Sequence, residues 1–174
     1  MKYLSILIVL FMNTCSSSKS NSLMSKLSNE KSTIEVTNCL NEGTCSVKIL
    51  KNKTFTVEKD GIGVLYPVIV DGDNIVIQYT YKIDNPNDYV DGGSSETIHF
   101  EISNNDITKL VDNELQEVKL LFGKHCYCKG LAGFYKVNKG TFLLSKNKNE
   151  LSIQFEVPKV GAQQIIKNIT LKME

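Results

Sequence analysis

The chain has 174 residues, with 20 basic and 19 acidic side chains and 41% hydrophobic residues. That suits one globular domain and excludes a disordered chain, a collagen-like repeat and a polytopic membrane protein. Every basic residue is lysine, and neither arginine nor tryptophan occurs.

Residues 1–15 read MKYLSILIVLFMNTC. One lysine, Lys2, precedes an apolar run from Leu4 to Met12. That run is far shorter than the ~20 helical residues needed to cross a ~30 Å hydrocarbon core, and it has the length of the apolar part of an export signal. Cys15, followed by Ser16, Ser17 and Ser18, resembles the lipid-accepting cysteine of bacterial lipoproteins, in the looser form that Bacteroidetes tolerate. The usual pattern has Leu three positions before the cysteine and a small residue directly before it, where this chain has Met12 and Thr14. The resemblance implies removal of residues 1–14, acylation of Cys15 and an envelope location. It also implies a kinship of the body with small lipoproteins of unassigned function. An ordinary secretory signal is the alternative.

Residues 16–32 are serine-rich and nearly free of apolar side chains, so 15–32 reads as a lipid-anchored flexible tether. A single acyl chain holds a membrane only marginally, and a processed lipoprotein cysteine carries several. Removing residues 1–14 takes away only Lys2 and leaves 19 lysines against 19 acids. This balance argues against a nucleic-acid partner.

From residue 33 to 174 the expectation is a single β-rich domain, an antiparallel β-sandwich or partly open barrel with one short helix around 107–122. Strands are expected at 33–37, 45–50, 53–59 and 64–70. Asp71-Gly72-Asp73 is expected to turn the last of these into 74–83 as a hairpin. In 74–83, Ile75, Ile77, Tyr79, Tyr81 and Ile83 share one face. In 96–103, Ile98, Phe100 and Ile102 face inward, while Thr97, His99 and Glu101 face outward. Ile107, Leu110, Val111, Leu115, Val118 and Phe122 recur at helical spacing, with Asp106 or Asp112 as a cap and Gly123 as a stop. A second short helix is expected at 160–167. Strands 132–138 and 141–146 are expected to form a hairpin through Asn138-Lys139-Gly140, followed by 149–157 and 169–173.

With Cys15 assigned to lipid, Cys39, Cys45, Cys126 and Cys128 remain. An even number in an exported chain implies disulfides, with three possible connectivities. Cys39 and Cys45 bracket the turn-forming LNEGT. In an extended strand Cys126 and Cys128 would have Cα atoms ~6.5–7 Å apart, at the limit of bridging. Cross-pairing therefore holds a slight preference. It would close a loop of roughly 80–90 residues, worth roughly 4–5 kcal/mol on the chain-entropy model. His125, Cys126 and Cys128, with Cys39 and Cys45 to complete four ligands, could also hold a soft metal, or Cys126 and Cys128 could form a redox dithiol, but the spacing fits neither the usual zinc pairs nor the usual redox motif and structural disulfides are the preferred reading.

Asp84, Asp88 and Asp91, with Asn85 and Asn87, form an oxygen-rich loop that lacks EF-hand spacing and reads as a solvated turn. His99, beside Glu101, reads as a surface histidine. Nine acids and one lysine lie between Asp84 and Glu117, and seven lysines and no acid between Val118 and Asn149. Neighbouring strands that offset each other are the preferred explanation, and a bipolar surface with the lysine-rich hairpin 132–146 facing an anionic partner or lipid headgroups is the other. Asn52 and Asn168 head short glycosylation sequons.

The expected function is a membrane-tethered, non-catalytic β-domain that binds or scaffolds an envelope component, either a protein or a ligand, without a cofactor. The alternative is a thiol-redox or metal-handling protein using Cys126, Cys128 and His125. A carbohydrate module is disfavoured by the absence of tryptophan, since Tyr79 and Tyr81 point inward.

Overall fold

The structure is a computed structural model that describes residue 27 and residues 32–83, 93–103, 107–145 and 147–174. The leader 1–14, Cys15, nearly all of the tether, and Asp84, Asn85, Asn87, Asp88, Asp91 and Asp106 lie outside the described residues. Leu27, within the range assigned to the tether, is fully buried against the main core.

The described chain is mainly β. Its strands are β1 (Ile34–Val36), β2 (Thr44–Lys59), β3 (Leu65–Ile83), β4 (Ser94–Ile102), β5 (Lys109–Val111), β6 (Leu121–His125), β7 (Gly133–Lys136), β8 (Gly140–Ser145), β9 (Glu150–Phe155) and β10 (Asn168–Met173). They form two antiparallel sheets, β1-β10-β9-β8-β5 and β2-β3-β4-β6-β7. The sheets share a core as a sandwich does. Ile75, Ile77, Tyr79, Tyr81, Ile98 and Phe100 of one sheet meet Phe142, Leu151, Ile153, Phe155, Ile169 and Leu171 of the other. The alternation read over 74–83 thus places its apolar face inward as expected.

The expected hairpin at Asp71-Gly72-Asp73 is not one. β3 runs unbroken from Leu65 to Ile83, paired with β2 along its length. The turn chemistry makes a bend instead of a reversal. Between Lys51↔Ile75 and Lys53↔Asp71, one residue of β2, Asn52, faces three of β3, Gly72, Asp73 and Asn74. Asn52, with φ 54°, takes the left-handed conformation that asparagine tolerates. At the bend a Cβ on Gly72 would lie 2.7 Å from the Thr54 side chain, so only glycine allows this approach. Beyond the bend, Leu65 pairs with Phe134 of β7, at the far edge of the same sheet. This contact closes β3-β4-β6-β7 into a partly open barrel. Phe55, Val76 and Leu121, with Leu50, Val57 and Phe134, fill its small second core.

The barrel explains a further correction. β4 was expected to have one wet face, yet Thr97, His99 and Glu101 are all buried. Their face points into the barrel, which the bent β2–β3 hairpin covers. Thr54 Oγ1 (2.6 Å) and Phe55 N (3.0 Å) donate to Oε2 of Glu101, and Asn74 Nδ2 donates to Oε1 (2.6 Å). Lys119 Nζ completes the set at 3.0 Å and also bonds the Phe55 carbonyl at 2.9 Å. On the other face of β4, Glu96 pairs with the buried Lys124 at 2.8 Å and accepts from Ile165 N and Ile166 N. The lysine also bonds the Gln163 carbonyl at 2.7 Å. Both pairs join the acidic block to the lysine block, so the offsetting arrangement holds for them.

The short helix is a 3₁₀ helix, Asp112–Val118, with Leu115 and Val118 buried at the i,i+3 spacing such a helix presents to a core. It is narrower than the helical spacing implied, because Leu110 and Val111 lie in β5 and Phe122 lies in β6. Gly123 does not stop a helix but sits mid-strand. A Cβ there would lie 2.5 Å from Thr97 Oγ1 and 2.6 Å from the Phe134 ring. Asn138-Lys139-Gly140 likewise does not close a hairpin, since β7 and β8 belong to different sheets and the segment crosses between them. At 160–167 only one 3₁₀ turn forms, Gly161–Gln163.

Replacing Lys124 by methionine leaves the buried Glu96 carboxyl without its ammonium partner. The expected loss is about 3–5 kcal/mol, read as a lower urea midpoint at unchanged slope.

Candidate functional site

Both cysteine pairs are local. Cys39 pairs with Cys45 (Cα–Cα 5.8 Å) and Cys126 with Cys128 (Cα–Cα 5.2 Å), against the preference for cross-linking. The extended geometry assumed for Cys126 and Cys128 does not occur. β6 ends at His125 and the chain bends at Cys126–Tyr127, which draws the two Cα atoms together. The first pair closes only the short 39–45 loop. Cys39→Ser is therefore expected to cost about 2 kcal/mol in a denaturant melt, not the larger sum that a long loop would give.

His125 does not complete a metal site with these sulfurs. Its Nε2 lies 3.1 Å from Thr97 Oγ1, and its ring packs edge-on against Phe134 at 5.3 Å. Among the described residues no group of three or more potential ligands gathers. Tyr127, between the two cysteines, is 88% exposed.

His99 is the clearest departure from expectation. It is 4% exposed, not on the surface, and its ring lies between those of Phe55 (6.3 Å) and Phe134 (6.0 Å). Its Nδ1 has no hydrogen-bond partner. Burial, with a smaller contribution from His125, lowers its pKa to about 4. Glu101, in the same barrel, behaves differently. Burial alone would raise its pKa, but the hydrogen bonds from Thr54, Lys119 and Phe55 and the charge of Lys119 outweigh that and hold it below the ordinary value.

Among the described residues, one surface concavity is formed largely by side chains that the sequence did not single out. The β2–β3 turn, β7 and the segment after β9 enclose a groove of about 780 Å³. Leu65, Phe134, Tyr135, Val157 and Pro158 line it, with Ile62 and Val64 at one end. Ile62 is 87% exposed and Val64 42%. Lys59, Lys136 and Lys159 also line the groove and are exposed. None of the three forms an ion pair among the described residues, and Lys159 lies 5.3 Å from the Tyr135 ring centroid. The groove's lining holds no carboxylate, imidazole or thiol. Only Lys136 belongs to the lysine-rich segment marked in the sequence. Lys59 and Lys159 come from distant stretches that the barrel closure brings alongside it.

No helix among the described residues is long and apolar enough to cross a membrane. Comparison with protein-family models, curated proteins and solved structures finds no match for the chain.

The sign of the His99 effect is fixed by its depressed pKa. The native state keeps the ring neutral while the unfolded chain takes up a proton near pH 6.5, so the contribution is full above that value. It is lost as pH falls toward 4, by an amount on the order of 3 kcal/mol. Urea midpoints measured across this window should fall with acidification, and less steeply in a His99→Phe variant.

Proposed function

We propose that the chain is a lipid-tethered, non-catalytic β-domain that binds or scaffolds another component of the cell envelope, with the groove as its contact face. The groove itself carries the reading. Its apolar floor and lysine rim offer affinity through apolar burial and charge, the chemistry of a binding site. The tether rests on the leader and on Cys15 with its serine-rich sequel.

A fatty-acid analogue fed to producing cells tests the tether. The full chain should carry the label and remain with membranes, and Cys15→Ser should lose both. An unlabelled wild-type chain overturns this part. A photo-crosslinking side chain placed at Val64 in the same cells tests the contact face. It should give a discrete adduct that the same group at Leu143, on the other sheet, does not. Equal labelling from both positions removes the groove from consideration.

Thiol exchange at Cys126–Cys128 is a second reading, favoured by the exposed position of Tyr127 between them. Loss of exchange with the fold intact in Cys128→Ser supports it.

A further inference from the structure

We infer that the tip of the β2–β3 hairpin and the lysines around it rest on the surface of an anionic lipid bilayer, with Ile62 inserted among the headgroups. This rests on the groove being the contact face and commits it to one occupant.

Three observations converge. First, Ile62 projects at the reversal between Gly61 and Gly63, 87% exposed, where neither neighbour offers a side chain to cover it. Ile62 belongs to the groove's lining yet keeps nearly its whole side chain in water, and burial in a bilayer interface would cover that surface. Second, Lys59, Lys136 and Lys159 line the same groove as Ile62, with no carboxylate partner among the described residues. Cationic side chains set around an apolar projection are the arrangement by which interfacial segments hold anionic membranes. Third, the turn is stiff enough to present the projection. Asp60 Oδ1 accepts from Ile62 N (3.0 Å) and Val64 N (2.8 Å), and Asp60 N donates to the Val64 carbonyl (3.0 Å). The two acids beside the tip, Glu58 and Asp60, are both engaged within the hairpin, Glu58 through Tyr66 Oη.

The absence of tryptophan makes a local test available. Ile62→Trp places the only indole of the full chain at the tip, and Leu143→Trp places it on the other sheet. Each chain is reconstituted into vesicles of phosphatidylcholine alone or of an equal mixture with phosphatidylglycerol. The expected result is a blue-shifted emission, quenched by brominated lipid, for tryptophan at 62 in the anionic vesicles only. Glutamine at 59, 136 and 159 together should lower the insertion constant by roughly a hundredfold, about fivefold for each lysine. These lysines are exposed, so the fold is unaffected by their exchange. A water-exposed emission at position 62 in anionic vesicles overturns the inference even where the chain stays vesicle-bound, which leaves the tether standing. Equal shifts in neutral vesicles, or equal shifts at 62 and 143, overturn it as well. A shift at 62 produced by poly-glutamate without vesicles assigns the groove to an acidic protein instead.

Discussion

Burial of β4 on both faces is the constraint on which the rest of the molecule depends. One face joins the sandwich core through Ile98 and Phe100. The other faces the barrel, and it stays dry only while the bent hairpin covers it. Glu101 holds that bend. Its carboxylate collects donors from Asn74 within the corner of β3, from Thr54 and Phe55 just past the bulge in β2, and from Lys119 after the 3₁₀ helix. A buried carboxylate is costly unless its hydrogen bonds are made, and the only arrangement that makes all of these is the bent one. The polar group therefore specifies the geometry more than it adds net stability.

Glu96 does the same on the opposite face. It draws the segment around Ile165 and Ile166 against the open end of the sandwich and is neutralised by Lys124. In a chain without arginine, lysine must serve every such site. Its three donors suit these positions, where each ammonium divides its bonds between a carboxylate and backbone carbonyls. The offsetting of an acidic stretch by a basic one thus includes one fully buried pair, Glu96–Lys124, and one whose carboxylate is buried and whose lysine is half-exposed, Glu101–Lys119. Lys136 of the basic stretch remains exposed at the groove.

Barrel closure links fold to surface. The single pairing Leu65↔Phe134 brings the tip of the β2–β3 hairpin beside β7 and the segment after β9. Three lysines far apart in sequence gather there around an apolar floor. The same closure places His99 between two phenylalanine rings without a partner for Nδ1, an acid-sensitive point inside the barrel.

Much of this was legible in the residues themselves. Period-two alternation located most of the strands, and the apolar face of 74–83 was read correctly, because that pattern follows from the pleat alone. Turn chemistry was legible but its meaning was not. Asp71-Gly72-Asp73 permits either a reversal or a corner, and only the long-range pairing with β7 selects the corner. His99 and Glu101 looked solvent-facing because alternation records which residues share a face, not what later covers that face. β6 was missed because Phe122 continues a helical spacing that ends, in space, at Lys119. Local sequence therefore determined the strands, their apolar faces and the presence of cysteines near turns. The tertiary structure decided the bend, the burial of β4 and the groove, since each arises from contacts between residues far apart along the chain.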